Sequence, residues 1–438
     1  MTTRTYVSVD LTIDGDWRVG AWTATDRAVL TFTTDRGLPH LPGASVRGSL
    51  RAHVRDTTSP AFAVAAFGPE AGAPDLTASP WWVLAANLLP DSWDRRERGQ
   101  TGIDRVRRAP ASGTQRTSET VTAIGPGPHV RIYLRCDASP TDQIVRDVLV
   151  AIGTWRPRIG GGSSVGLGRA QVVAGRTRSV DLASPVELVA RLSAGNTAAG
   201  LDSLLATPTA QALKIQAPAS DLLVGCDFDL PYGWAAPKPP APVRPVMDGS
   251  TWKGLIRSRV EFIGRSLRTP VCDNSACGTC DVCAVFGSPH AASLLDFVCT
   301  SIDRGKSTGV QARGRTALSR FTNGANDQQR FDQYTEHDIR VRLEIRTLNR
   351  RRDIVAGGTS RAQVPPPWVV RAILHAIRDL AQGLVGIGGQ SSIGLGTLEA
   401  TSVHVGTTWR LLVEDLLAAD GTLDLNRLDR LPVEAGHE

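Results

Sequence analysis

The sequence predicts an α+β protein built from two tandem units, and three observations carry that prediction. A glycine loop is written twice: residues 160–168 read GGGSSVGLG and residues 388–396 read GGQSSIGLG, identical at seven of nine positions and 228 residues apart. A turn-and-helix motif is also written twice, as PGASVRGSLR at 42–51 and DGSTWKGLIR at 248–257, 206 residues apart. Strand-like alternation and helix-like periodicity then follow in the same order around both pairs. The two units are expected at residues 1–205 and 206–438.

The totals bound the answer before any element is placed. A chain of 438 residues is long enough for two or three separate cores. No apolar run reaches membrane-spanning length, and the start, MTTRTYVSVDL, lacks the apolar centre of a signal peptide. A cytoplasmic protein with no membrane partner is expected. The net charge is +6, and every basic residue other than Lys214, Lys238, Lys253 and Lys306 is arginine. Arginine forks onto phosphates and stacks on bases, so this balance is compatible with a nucleic-acid partner. Seven cysteines are present and four are clustered, which in such a compartment points to a metal site before disulfides.

In the first unit, Tyr6–Thr12 alternates as a strand. Pro42-Gly43 makes a turn, and Ser45 is read as the cap of a helix through Val46, Leu50 and Val54. Ser45, Arg47 and Arg51 then gather a hydroxyl, two guanidinium groups and free N–H groups, the makings of a phosphate site. An ordinary amphipathic helix would use the same residues. Residues 90–118 are turn-rich and basic, with Arg95, Arg96, Arg98, Arg105, Arg107, Arg108 and Arg116 around Trp93. That mixture suits a single-stranded nucleic acid, although a solvated loop has the same composition. His129–Leu134 reads as a strand, and Thr141–Thr154 as a helix with Ile144, Val148 and Ile152 on one face. Gly160, Gly161, Gly162 and Ser163 open the glycine loop, whose successive N–H groups can form an anion-sized concavity. Arg169–Val173 closes the unit as a strand. The order strand, helix, excursion, strand, helix, glycine loop, strand resembles a ferredoxin-like (RRM-like) unit with a large insertion.

The second unit is read as starting at Leu213–Gln216, with Asp221–Gly225 (DLLVG) answering Asp16–Gly20 (DWRVG). Ser250, Lys253 and Arg257 repeat the chemistry of the first helix start. Phe67-Gly68 matches Phe286-Gly287, and the second unit holds 13 more residues before that pair. They fall around CDNSACGTCDVC, at about 270–285, where Cys272, Cys277, Cys280 and Cys283 are spaced to close a tetrahedron around zinc. Four protein ligands leave no open position, so the zinc is expected to be structural. Cys136, Cys226 and Cys299 read as core residues. Ile302-Asp303-Arg304 repeats Ile103-Asp104-Arg105 and opens a second basic excursion containing Arg313, Arg315, Arg320 and Phe321. Ile339–Arg346 alternates strictly, Pro367 starts a helix, and Gly388, Gly389 and Ser391 lie in the second glycine loop. A last helix is expected near Trp409–Ala419.

The duplicated helix start, the excursion after I-D-R and the duplicated glycine loop together resemble the RAMP superfamily. Within it, the chain is similar to the backbone subunits of type III CRISPR effector complexes, as if two were fused. The cysteine cluster ending in C-x-V-F-G-S is similar to their zinc insertion. The resemblance implies that the helix starts and glycine loops hold guide-RNA phosphates, that the excursions are thumbs kinking a guide–target RNA duplex, and that other effector subunits are partners. It also implies a nuclease aspartate in the loop before the helix start. Asp26, in ATDRAV, is at that spacing; in the second unit the equivalent count falls on Tyr232, with Asp229 nearby. Such cleavage would be Mg²⁺-dependent. Two other readings remain: a non-catalytic RNA-binding subunit, and a guide-precursor processing endoribonuclease, which would need neither zinc nor a basic excursion in each half.

Overall fold

The computed structural model describes residues 3–428 except 23–27, 32, 34–37, 70–76, 90–92, 106, 108, 140, 218–219, 237–245, 273–276, 290–291, 349–364, 411, 419–421 and 426–427. The fold is mixed α+β with small antiparallel sheets. Strand β1 (Thr3–Ile13) lies at the centre of the first main sheet. Helices α1 (Gly43–Thr57) and α2 (Pro60–Phe67) lead to the edge strand β2 (Trp81–Leu88). Strands β3 (Trp93–Gln100) and β4 (Arg116–Ala123) form a side ribbon before β5 (Val130–Cys136). Helix α3 (Gln143–Gly153), the glycine loop and β6 (Ala170–Asp181) follow.

The sheet order is β6–β1–β5–β2, which by position in the chain is fourth, first, third, second. Val7 opposes Leu134, Val9 opposes Ile132 and Leu11 opposes Val130, so the alternating apolar residues share one face. Val46, Leu50 and Val54 of α1, with Val145, Val148 and Ile152 of α3, bury that face. Helices α4 (Pro185–Ala194) and α5 (Ala198–Leu205) cover part of the other, where Leu201, Leu204 and Leu205 pack with Tyr6, Tyr133 and Val180.

The second sheet is built from β7 (Leu222–Leu230), β8 (Leu295–Phe297), β11 (Ile339–Thr347) and β12 (Glu399–Val405). Between β8 and β11 the chain makes a long ribbon of β9 (Gln311–Leu318) and β10 (Ala325–Glu336). The sheet order is β8–β11–β7–β12, which is second, third, first, fourth. Read from the other edge, that is the order of the first sheet. Helices α6 (Gly249–Ser266) and α8 (Pro367–Ala381) occupy the places of α1 and α3, and α7 (Asp281–Phe286) that of α2. Trp252, fully buried, stacks on Phe228 with ring centroids 5.9 Å apart at the middle of this core.

Three local readings change. Ser45 is not a cap: α1 begins at Gly43 after Pro42, which places Ser45 inside the first turn with its N–H on Pro42 O. The DLLVG segment runs into β7, the counterpart of β1, rather than answering Asp16–Gly20, which lies in the side sheet. Among the described residues the last helix covers Thr407–Arg410, Val413 at φ −139° is not helical, and a 3₁₀ turn at Glu414–Leu416 follows. At the junction of the units, Gln211–Ala212 pairs with β6 and Gln216 N donates to Gly153 O, so the first sheet extends past residue 205.

Candidate nucleic-acid interface and metal centre

The two glycine loops share one backbone form. Ser163–Val165 makes a 3₁₀ turn between left-handed Gly162 (φ 83°) and Gly166 (φ 82°). Ser391–Ile393 does the same between Gln390 (φ 62°) and Gly394 (φ 89°). Their surroundings differ. Residues 388–394 are all exposed, including Gly388, Gly389 and Ser391. In the first loop Gly160 and Gly161 are exposed, Gly162 and Ser163 are half-buried, and the far end is seated on the second unit.

That seat is a joint of charges. Gly166 N donates to Asp296 Oδ1 at 3.0 Å, and Arg158 pairs with Asp296 Oδ2, the carboxylate being fully buried. Lys253 Nζ donates to Ser164 Oγ at 2.8 Å, and Arg156 reaches Asp221 at 3.2 Å. A Cβ on Gly249 would lie 2.5 Å from Val165 O, so only glycine lets helix α6 start this close to the loop. From the first unit's excursion, Arg98 bridges Asp16 and Asp248, while Arg105 pairs with the buried Glu261. Sequence reasoning missed this set. A lone acid inside the apolar run LLDFV, at Asp296, was the available signal, because a buried carboxylate needs a partner.

The helix-start residues carry structural bonds as well. Ser45, Arg47, Arg51, Ser250, Lys253 and Arg257 are all half-buried. Arg47 donates to Phe67 O, and Arg257 to Gly287 O at 2.8 Å, so each holds the turn after the following short helix. Arg18, the middle residue of DWRVG, lies against the first glycine loop: Gly161 N donates to its carbonyl at 3.0 Å. Burial, then Arg116 and Arg98, lower the Arg18 pKa, so the loop sits beside a crowd of guanidinium groups. Asp26 falls outside the described residues. Asp229 lies on β7 rather than in a loop, and Arg340 Nε donates to it at 2.9 Å.

Burial, reinforced by Arg257, brings the Lys253 pKa down from 10.5 to about 8. The folded chain thus binds this proton less readily than the unfolded chain, and the residue's contribution to stability rises with pH between those values. A phosphate at Lys253 would favour the charged form. If nucleic-acid phosphates reach Lys253, their affinity is expected to fall as pH rises through about 8, and Lys253→Met should flatten that pH dependence in filter-binding titrations. An unchanged profile in the variant would remove Lys253 from the interface.

The four clustered thiols converge. Cys272, Cys277, Cys280 and Cys283 place their sulfurs within 4.8 Å of one another. Cys272 Sγ is 3.6 Å from Cys280 Sγ and 3.4 Å from Cys283 Sγ, close to the roughly 3.8 Å edge of a tetrahedron with zinc–sulfur bonds of about 2.3 Å. Backbone N–H groups of Cys277, Cys280 and Cys283 donate to the sulfurs of Cys272, Cys277 and Cys280. Arg257 Nη2 donates to Cys283 Sγ at 3.3 Å. Donors aimed at sulfur favour thiolate, the form a metal binds. The Thr279 hydroxyl, with Cys272 and nearby N–H groups, pulls Cys277 down to about 5, while burial pushes Cys272 and Cys280 up. The donor set fits a metal ion such as zinc.

Residues 241–399 match a family model described as the RAMP superfamily. The matched segment runs from just before the second helix start to the strand after the second glycine loop. Among solved structures, a cryo-EM structure of the type III-B Cmr-beta bound to cognate target RNA is similar at 15% identity, over 41% of this chain and 61% of that one. Its TM-score is 0.31, a likeness too weak to bear on function. No curated protein matches. No described helix is long and apolar enough to cross a membrane.

Proposed function

We propose that the chain is a guide-RNA-binding backbone subunit of a type III CRISPR ribonucleoprotein, made of two fused ferredoxin-like RAMP units and acting in the cytoplasm with other effector subunits. One observation carries the reading: both sheets have the same strand order, each with a helix start and a glycine loop at the same places, and the second unit matches the RAMP model. The exposed segment 388–392 and the helix starts would hold guide phosphates, while base pairing would supply sequence recognition. The β9–β10 ribbon projects Arg313, Arg320 and a fully exposed Phe321 at its tip, a set able to track a backbone and stack on a base. The clustered cysteines would hold a structural zinc.

Cleavage of the paired target RNA is the finer part of the proposal. RNA carries its own nucleophile, the 2′-OH, so the protein need only align it with the phosphate and handle a proton. Asp26 is the candidate carboxylate. Bound Mg²⁺ would supply charge stabilisation at the departing oxygen. Asp229 is engaged by Arg340 on a paired strand, which favours a non-catalytic second unit.

The test uses the assembled ribonucleoprotein. Guide affinity should fall steeply with salt, with a slope of about −0.7 per neutralised phosphate on a single strand, and vary little with guide sequence. Affinity that ignores salt would overturn the phosphate reading. Asp26→Ala should leave target binding unchanged and abolish one cleavage product. If every product persists, the chain is a non-catalytic subunit; if it cuts guide precursor alone, it is a processing enzyme.

A further inference from the structure

Helix α6 meets the first unit along one stripe. Gly249, Lys253, Arg257 and Glu261 recur every fourth residue, so the four stand one above another on the same face. Three of them touch the first unit. A Cβ on Gly249 would strike Val165 O, Lys253 donates to Ser164 Oγ, and Glu261 accepts from Arg105. Arg257 stands between Lys253 and Glu261 but reaches the cysteine cluster. Its Nη2 donates to Cys283 Sγ at 3.3 Å and its Nη1 to Gly287 O at 2.8 Å, while Nε donates to Glu261 Oε1 at 2.8 Å.

Glu261 is fully buried. Oε1 receives both Arg257 and Arg105, and Oε2 has no hydrogen-bond partner among the described residues. A buried carboxylate held through one oxygen depends on both guanidinium groups, because displacing either leaves charge with less compensation. The place of Arg257 is set in turn by α7. Cys280 caps that helix, Cys283 lies in its first turn and Gly287 O follows its end. A metal shared by the four sulfurs would pin α7, and with it two of the three acceptors that Arg257 uses.

On the other side of Glu261, Arg105 follows a short pairing of Ile103–Asp104 with Ala109–Pro110. Ala111 N donates to Gly102 O at 2.9 Å and Thr114 N to Ala111 O at 3.4 Å, so both amides report on this hairpin. Strand β3 before it has its own anchor, Arg98 on Asp248 at the start of α6. The second unit's ribbon is anchored differently: Arg304 and Ser307 both hold Glu336 of their own unit. The first unit also supplies an internal comparison. By the 206-residue spacing, Arg257 corresponds to Arg51 and Glu261 to Arg55, and no cysteine precedes Cys136. The acid and the cysteine cluster thus occur together in one unit and are both absent from the other.

We propose that metal at the cysteine cluster holds the hairpin around Arg105 on α6, with Arg257 as the positioning residue between them. The bound cluster fixes Cys283 and Gly287, these hold Arg257, and Arg257 keeps Glu261 where it receives Arg105. Such a coupling is reciprocal: docking of Arg105 raises metal affinity by the factor by which metal favours docking. The inference rests on the cluster binding a metal and stands apart from the RNA reading.

Hydrogen–deuterium exchange tests it on the full chain without RNA, zinc-loaded and after chelation, with metal content measured on the same samples. Chelation should speed exchange at Ala111 and Thr114 roughly fivefold or more, the low end of couplings between sites, and leave residues 311–336 at their starting rate. Zinc-loaded Arg257→Met should keep its metal, exchange fast at Ala111 and Thr114 from the outset, and change no further there on chelation. Arg105→Gln cuts the same chain of bonds away from the cluster. It should give the same fast exchange and surrender zinc to a competing chelator more readily by the same factor. Loss of zinc with no change at Ala111 and Thr114 overturns the proposal, and so does equal acceleration at 311–336, which marks general loosening. A folded Arg257→Met chain that keeps zinc and still responds like the wild type overturns it too, as does an Arg105→Gln chain with wild-type exchange and zinc affinity. A wild-type chain that carries no metal removes the cluster reading itself, and the metal content tells that failure from the others.

Discussion

Replacing Cys272, Cys277, Cys280 and Cys283 together with serine is expected to remove about one zinc per chain and to lower the melting temperature sharply. The size of the effect follows from linkage: a structural zinc site contributes binding free energy on the order of 10 kcal/mol, and metal bound only by the folded chain stabilises that fold. The loss should begin at α7 and spread. Cys283 accepts from Arg257, whose other donors hold Gly287 O and Glu261. Asp281 accepts from Trp368 Nε1 on α8 at 2.9 Å, so the cluster is also tied to the far helix. The core around Trp252 and Phe228 remains, so the rest of the second sheet should still form. Metal analysis and thermal unfolding, each before and after chelation, make the check. A serine variant that keeps both its metal content and its melting temperature would rule the site out.

Asp296→Ala should loosen the two units from each other at a cost of about 3–5 kcal/mol, the range for breaking one side of a buried ion pair. The substitution leaves the Arg158 guanidinium with only its longer contact to Asp221 at 3.9 Å and the Gly166 N–H without its acceptor. Denaturant unfolding of the variant should then separate into two transitions, one per unit. Asp296→Asn keeps an oxygen for Gly166 and should recover part of the loss. A single transition at the wild-type midpoint would show that the joint is held elsewhere. The measurement belongs near neutral pH, because burial raises the Asp296 carboxyl above its ordinary 3.8 in spite of Arg158, whereas the neighbouring Asp221 shifts the other way. Burial alone would raise that carboxyl, but the Arg346 hydrogen bond and the charges of Arg169, Arg346 and Arg156 hold it below its ordinary 3.8. Its contribution is therefore complete above that value and is lost as pH falls through the lower folded one.

Much of the candidate site was legible in the chain because its signals are local. A glycine at positive φ, a turn before a helix and cysteines at ligand spacing each depend on a few neighbouring residues, so Gly162 and Gly166, Gly249 and Cys272–Cys283 could be found by pattern. The repetition of those patterns announced two similar units. Asp26 stays where the sequence left it, outside the described residues. What the sequence could not show is which copy of each motif is free. GGGSSVGLG and GGQSSIGLG differ at two positions, yet the far end of one loop is seated in a joint and residues 388–394 of the other are exposed. Arg105 and Arg304 stand in the same I-D-R motif, yet one crosses to Glu261 of the other unit and the other stays with Glu336. The DLLVG segment looked like DWRVG by its letters, and only strand pairing placed it on the first strand of the second sheet. The reason is common to all three. A short motif sets its own backbone, but the partner of a buried charge or a sheet edge is chosen by residues far away in the chain, and only the closed fold brings them within bonding distance.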